Sequence, residues 1–552
     1  MSASSTDLNA SPGLLAGGRA WLRKVLTKPP ADPAVARFIE LSRKKWPRRR
    51  AGSEGVVLVN LFPVPASIFC YAYVANHLAD RLDCRVEAFN FAKRTPPDTA
   101  KAYASFGAEC RLTFENVEKD RARVESLADE LFAGLRTKWD VVNLTVEGLL
   151  IGDQVYDTYL RNHNEPTVAL TDPRLRDTIC EALLIYFAVK NYVAQNKVEC
   201  LLTDDFSYLY SGVITRVLFR AKVPVFLVLI GQPFHLLQLD PAHSGPGPDG
   251  FGHGYPAPVA TRYYQYREAF SRLSDEEREA ALEKSRHRLS ARLAGEEDAL
   301  VRMTQSSYGI GGERIFPTDG PPRVLVMLHD FIDSPHGYRS LLFPDFYEWI
   351  HFLLDHAQET PFAWYVKPHP AAADTGRMKM SAANRKALEA LQARYPKIHF
   401  LQPGTSNRQI LEEGVSAMFT VYGTAGHEFA YAGIPVVNAG DNPHIAYPFN
   451  IHAASLDHYR DCIRQADRLE VAMERPAIEE FFYMHYFHLA ERHGSAVNPI
   501  DEKVAASPDF GVRLGQASIF DDMIAGVTPE RERGVHEFLT RFFDSAGISK
   551  KL

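Results

Sequence analysis

Regular patterning begins at residues 55–62, Gly-Val-Val-Leu-Val-Asn-Leu-Phe, an apolar run closed by Pro63 and Pro65. A run this short, rich in Val and ended by prolines, predicts a buried strand running into a loop. Residues 67–81 then place apolar side chains at helical spacing, and 84–89 read as a second strand. Strand, helix and strand in succession are the mark of a parallel sheet. The alternation predicts a strand at 140–144, a helix at 174–195, a strand at 198–203, a helix at 210–222 and a strand at 223–230.

Residues 232–260 break this rhythm, and 241–250 are so dense in Pro and Gly that regular structure is excluded there. A loop this long is expected to be functional or mobile, and a position beside a ligand cleft is expected for it. Helical composition returns at 274–303, with Ser274 as the expected cap. A second series follows. Strands are predicted at 322–328, 362–366, 398–401, 417–421 and 434–438, with helices at 345–357, 382–395, 407–414 and 424–432. The expected fold class is α/β, with two Rossmann-like doubly wound domains facing a cleft. The expected organisation is an extension over 1–50, one domain with a connector helix over 51–300, a second domain over 301–475 and a helical tail over 476–552.

At 552 residues the chain is too long for one core, which agrees with two domains. A net charge of −6 argues against nucleic acid as a partner. No apolar stretch reaches the length of a membrane span. The six cysteines, Cys70, Cys84, Cys110, Cys180, Cys200 and Cys462, form no CxxC pair and read as core thiols of a reducing cytoplasm. Residues 1–50 stand apart, with 11 Lys and Arg against 3 Asp and Glu. The basic residues are interleaved with Trp21, Leu22, Val25, Leu26, Phe38, Ile39, Leu41 and Trp46. That mixture fits either a solvated leader or a peripheral contact with an anionic membrane surface.

The candidate chemistry gathers in the second series. Lys367-Pro368-His369-Pro370 directly follows a predicted strand, where an open parallel sheet binds its ligands. Lys367 offers a cation to phosphate, His369 a hydrogen bond, and the two prolines stiffen the loop. The competing reading is a plain surface loop. Gly423-Thr424-Ala425-Gly426-His427-Glu428 runs from a strand through a glycine turn into a helix. Small residues there admit a ligand to the backbone, and Glu428 can accept hydrogen bonds from ribose hydroxyls. Turn geometry alone also explains the glycines, and Ser406 or Thr405 reads as a helix cap. His329, Asp330, Asp333 and His336 cluster after the first strand of this series. Asp330 is the first candidate for a catalytic base or nucleophile, and His336 for an acid or a phosphate donor. A clustering of Asp and His like this could also bind a metal, but no carboxylate pair in it has DxD spacing, and no metal is expected. Asp204 and Asp205 end a strand of the first series. Paired carboxylates can raise each other's pKa, and Asp205 is the second catalytic candidate, with helix capping as the competing reading. Glu147 is a third carboxylate after a predicted strand. Tyr156, Tyr159, Phe206, Tyr208 and Tyr210 read as core.

The Lys-x-His-Pro loop, with Gly-Thr-Ala-Gly-x-Glu and Ala-Gly-x-Pro-Val about fifty residues on, resembles the nucleotide-binding half of GT-B glycosyltransferases. The resemblance covers residues 320–445 and is to the bacterial capsule and surface-polysaccharide type, which includes the β-Kdo transferases. CDP-glycerol glycerophosphotransferases look like more distant relatives. Residues 148–160, with Ile151-Gly152-Asp153-Gln154-Val155-Tyr156-Asp157, resemble a stretch of the same proteins. The resemblance implies donor-phosphate contacts for His369 and Lys367, donor contacts for Gly423, Thr424 and Ala425, and a ribose contact for Glu428. It implies an acceptor domain before a nucleotide-sugar domain, no cofactor beyond the nucleotide-sugar donor, and a glycan or glycolipid acceptor. No base-reading signature is matched, so CMP, CDP, UDP and GDP donors stay open. Three other readings share parts of this pattern: a polyol-phosphate transferase using a CDP donor, a sugar-nucleotide epimerase, and a non-catalytic polysaccharide assembly protein.

Overall fold

The computed structural model describes residues 30–46, 53–91, 95–229, 235–239, 262–296, 308, 312–337, 341–369, 382–488, 491 and 513–548. Along the chain come strands β1 (Gly55–Asn60), β2 (Cys84–Phe89) and β3 (Glu109–Leu112), then a hairpin of β4 (Thr145–Val146) and β5 (Leu149–Leu150). Next are β6 (Lys197–Thr203), β7 (Val225–Leu229) and β8 (His235–Gln238). The last six are β9 (Arg323–Met327), β10 (Ala363–Lys367), β11 (His399–Phe400), β12 (Ala417–Thr420), β13 (Val436–Asn438) and β14 (Ile451–His452). Contacts divide the chain into two compact units. The first gathers Met1–Ala133, Ile179–Gln238 and Ser495–Leu552, and the second Gly134–Thr178 and Leu239–Gly494.

Each unit holds one six-stranded sheet with helices between its strands. In the first the order is β3-β2-β1-β6-β7-β8, parallel except that β8 runs antiparallel to β7. In the second it is β11-β10-β9-β12-β13-β14, parallel throughout. Both orders are doubly wound: the chain builds outward from the first strand, then returns to its other side. Successive strand residues point to opposite faces. In the second sheet Val324, Val326, Trp364, Val366 and Phe419 therefore enter one core, while Leu325, Tyr365, Met418 and Val436 enter another.

In the first unit Val57, Val59, Cys200, Leu202, Phe226 and Val228 share a core with helices from both ends of the chain. Helix Pro33–Lys45 is capped by Asp32 and starts with proline at its first position, a favourable place for that ring. It inserts Phe38, which is fully buried and stacks on Phe520 with ring centroids 4.5 Å apart. Helix Ile519–Ala525 adds Ile519, Phe520 and Met523, and helix Pro529–Ser545 adds Phe538, Leu539, Phe542 and Phe543. The membrane-surface expectation therefore loses its residues between 33 and 46. Phe38 and Ile39 lie in the core, and Leu41 and Trp46 pack against it. Trp21, Leu22, Val25 and Leu26 lie outside the described residues. Among the described residues no helix is long and apolar enough to cross a membrane.

Two local expectations are corrected. Residues 140–144 do not form a strand; Lys138–Val142 is a short helix. Thr137 and Asp140 close a reciprocal capping box, in which the Asp140 carboxylate accepts the Thr137 N–H at 2.6 Å. That pattern of Thr followed three residues on by an acid starts a helix. The stretch 232–260 is not wholly irregular, because His235–Gln238 pairs with β7. The Pro/Gly-dense part at 241–250 lies outside the described residues. Elsewhere the alternation holds, and Ser274 caps Asp275–Leu293 in a capping box with Glu277.

Phe38→Ala is expected to destabilise the protein by about 3–5 kcal/mol, the range for emptying a buried aromatic site. Urea unfolding of the full chain checks this. A loss within about 0.5 kcal/mol, the range of surface substitutions, would remove helix Pro33–Lys45 from the core.

Candidate functional site

The chain order of the second sheet reverses between β9 and β12, and ligands of doubly wound sheets bind past the strand ends at such a point. Three sequence-predicted pieces meet there. Lys367 is the last residue of β10 and pairs in register with Met327 at the end of β9. Two residues past β9, His329 stands against the end of β12, where its Nε2 lies 3.1 Å from Thr420 Oγ1. The Val421 N–H donates to His329 Nε2 at 3.3 Å, which puts the ring proton on Nδ1. Burial, and then the nearby His369, push the His329 imidazole down to about 3. It is a neutral brace, stacked on Phe346 at 4.6 Å.

Around this brace stand the polar groups. Lys367 is 2% exposed, and burial lowers its ammonium to about 8 although the Glu428 carboxylate favours the charge. His369 is likewise lowered by burial, against the pull of Asp330 and Asp333. The Asn384 amide donates to Asp330 Oδ1 at 2.5 Å, and the Ile332 N–H donates to the same oxygen at 3.3 Å. Tyr422 ties the Asp330–His336 loop to the glycine turn by donating from its hydroxyl to the carbonyls of Asp333 and Ser334, at 3.2 and 3.3 Å. Glu428 thus acts on Lys367, and Asp330, Asp333 and Lys367 act on His369.

The glycine turn is shaped by packing. A Cβ on Gly423 would stand 2.9 Å from Thr420 Oγ1, and one on Gly426 would stand 2.8 Å from His444 Cε1. Thr424 and Ala425 open helix Ala425–Tyr431, and Thr424 makes no side-chain cap. Glu428 lies one turn in and is 2% exposed. Arg292 Nε donates to its Oε1 and the Tyr308 hydroxyl to its Oε2. Both carboxylate oxygens therefore hold protein donors, and Arg292, only 5% exposed, finds its counter-charge there. No sequence signal linked Arg292 or Tyr308 to this site. Ser406 caps Asn407–Glu413, as expected.

His336 is buried against Asp157, with Nδ1 at 2.6 Å from Asp157 Oδ1. Asp205 belongs to the first unit. Its Oδ1 accepts the N–H groups of Phe206 and Ser207 at 2.8 and 2.9 Å, the geometry of a local turn cap. Its neighbour Asp204 is the perturbed carboxyl. It directly follows β6, the neighbour of β1 where the first sheet reverses, and Asn60 Nδ2 donates to its Oδ1 at 3.0 Å. Burial, then the Asp205 charge, raise it to about 6. Glu147 does follow a strand, but that strand is β4 of a short hairpin and not part of either six-stranded sheet; with Gly148 it forms the exposed two-residue turn to β5, both at positive φ. Among the described residues no three His, Cys, Asp or Glu side chains gather in a metal-binding arrangement.

Fold and site define an α/β protein with two doubly wound parallel-type sheets and a polar cluster at the reversal point of the second. No protein-family model and no curated protein matches the chain. Among solved structures it is similar to Thermosulfurimonas dismutans KpsC, a β-Kdo 2,4 transferase, at 13% identity over 53% of this chain and 80% of that one, with a TM-score of 0.30. It is similar to Neisseria meningitidis UDP-GlcNAc 2-epimerase bound to UDP-GlcNAc, at 11% identity over 78% and 98%, with a TM-score of 0.23. A Thermobaculum terrenum O-GlcNAc transferase variant matches at 11% identity over 95% and 78%, with a TM-score of 0.22. At these scores the likenesses carry no argument about this chain.

Two predictions follow from the buried carboxyls. Glu428→Ala leaves Arg292 unpaired in the interior and is expected to cost about 3–5 kcal/mol by denaturant unfolding. Retention of full stability would contradict the buried pair. For Asp204, the folded state holds a proton between about pH 4 and about pH 6 that the unfolded chain has released. Stability should therefore fall as pH rises through that window and level off above it. In Asp204→Asn this slope should vanish, measured as Tm against pH in both proteins.

Proposed function

We propose that this protein is a glycosyltransferase that takes a sugar from a nucleotide-linked donor and passes it to a surface glycan or glycolipid. The observation that carries the reading is the convergence of Lys367 and His369 with Asp330 at the strand-order reversal of the second sheet. A buried ammonium has lost much of its hydration, so a phosphate oxygen can replace water around it at little further cost. Lys367 and His369 are the groups assigned to the donor phosphates, with the backbone of Gly423, Thr424 and Ala425 beside them. Asp330 is assigned the carboxylate role at the anomeric centre or the acceptor hydroxyl. Glu428 contacts the donor ribose in this reading only by exchanging a bond it now makes to Arg292 or Tyr308. The family resemblance of residues 320–445 favours a CMP-linked acid sugar as donor and surface-polysaccharide synthesis as the setting. The donor is held without a metal ion.

Thermal unfolding of the purified protein is expected to shift upward with one of CMP, CDP, UDP or GDP, and to do so equally in EDTA. About 100-fold saturation adds roughly 2.7 kcal/mol, a readily measured shift. His369→Ala should remove most of that shift while the unliganded Tm stays near the wild-type value. No shift with any of the four nucleotides would overturn the nucleotide-donor reading.

A further inference from the structure

Helix Gly152–His163 is seated tightly within the second unit. A Cβ on Gly152 would stand 2.0 Å from the Val141 carbonyl oxygen and 2.4 Å from the Leu144 nitrogen, so only glycine permits this approach. Tyr156, fully buried, donates its hydroxyl to Asp345, which also accepts from Thr167 Oγ1 at 2.6 Å. One residue on, Asp157 is 1% exposed and accepts two hydrogen bonds from one residue. The His336 N–H reaches its Oδ2 at 3.2 Å, and His336 Nδ1 lies 2.6 Å from its Oδ1. Burial raises the Asp157 carboxyl, the two donors from His336 oppose that rise, and His336 is raised in turn, so the shared proton is assigned to the imidazole.

The other ring nitrogen of His336 has no such account. His336 is 7% exposed, and its Nε2 is buried without a hydrogen-bond partner among the described residues. A buried polar atom left unpaired costs about 1–3 kcal/mol, so it calls for a partner that arrives later. With Nδ1–H committed to Asp157, a protonated ring can only donate from Nε2. The partner it asks for is an acceptor, and an anionic one. His336 also ends the loop that Tyr422 ties to the glycine turn, three residues beyond the Asp333 that acts on His369.

We propose that Asp157 and His336 form a charge-holding pair whose Nε2–H binds a phosphate group of the nucleotide donor. Asp157 is the positioning residue: it fixes the tautomer and keeps the ring cationic. His336 is the contact. The pair gives residues 148–160 a task that their resemblance alone leaves blank. It rests on the donor reading above. Burial lowers the His336 pKa, but Asp157, then Asp153 and Asp345, outweigh it and leave it raised. Among the described residues Lys138 lies 4.0 Å from Asp345 and also pairs with Glu348, and Arg161 pairs with Asp333 at 3.1 Å.

The test is calorimetric titration of full-length wild-type, Asp157→Asn and His336→Gln proteins with CMP, CDP, UDP and GDP from pH 5.5 to pH 8.5. Asp157→Asn keeps the size of the side chain and one acceptor but removes the charge. Circular dichroism establishes which variants are folded, and His336→Gln keeps the test open if Asp157→Asn is not. His336→Gln is expected to weaken the binding nucleotide about tenfold or more at pH 7, the loss of one charged hydrogen bond. Asp157→Asn is expected to move the pH above which affinity declines downward by about one unit, with affinity recovered at pH 5.5. A purely structural pair would lower stability and leave that profile unmoved. Wild-type affinity and pH profile in either folded variant overturn this proposal while leaving the donor reading in place. Failure of all four nucleotides to bind the wild-type protein overturns both.

Discussion

Burial of both faces of each sheet is the constraint on which the rest of this molecule depends. Strands such as Val56–Val59 and Val324–Val326 are fully buried, so neither face can carry polar chemistry. Only the strand ends and the loops beyond them are left for it. In a doubly wound sheet the loops diverge where the strand order reverses, and a gap opens there without any residue being selected for it. Asn60 and Asp204 occupy that position in the first sheet, and His329, Lys367 and Gly423 surround it in the second. Function is thus confined by the same hydrophobic patterning that makes the fold.

Confinement brings charges into places poor in water. Lys367, Glu428, Arg292, Asp157 and His336 are each less than one-tenth exposed. An isolated charge there would neutralise itself, so each is set beside an opposite one. Glu428 with Arg292 and Asp157 with His336 are direct pairs, whereas Lys367 has only the more distant support of Glu428 and is the cation whose pKa falls. That contrast separates charges balanced by a direct pair from Lys367, which is balanced less closely and is prepared to accept an anion, while His336, paired through Nδ1, keeps its Nε2 for one.

Much of this was legible in the sequence where the signal is local. The strand at 84–89 falls where predicted, and Ser274 and Ser406 cap the helices assigned to them. The loop Lys367–His369 was found because a short apolar strand runs straight into it. What escaped is long-range. His336 stood out by its neighbours, but its partner Asp157 lies 179 residues earlier, and no spacing rule reaches that far. Glu428 read as ligand-facing because its Arg292 partner sits in a helix that looked like a mere connector. Residues 140–144 were misread because Val141 and Val142 carry high strand propensity, and the cap at Thr137 decided the matter instead. Phe38 and Ile39 were indistinguishable from a membrane-facing stripe, since an amphipathic helix shows the same face to a core as to a lipid surface.

The first unit draws its core from helices near both ends of the chain, Pro33–Lys45 and Pro529–Ser545, whereas the second is assembled from residues between 134 and 494. During synthesis the chain emerges from its amino end, and domains form as their segments become available. Every segment of the second unit leaves the ribosome before Phe520, Phe538 and Phe543 do. The later-numbered domain is therefore the first that can finish, and the sheet that began with β1 waits, apolar side exposed, for the last aromatic residues to arrive. The core of the first unit is thus complete only once helix Pro529–Ser545 is available to it, although its first strand is made more than 400 residues earlier.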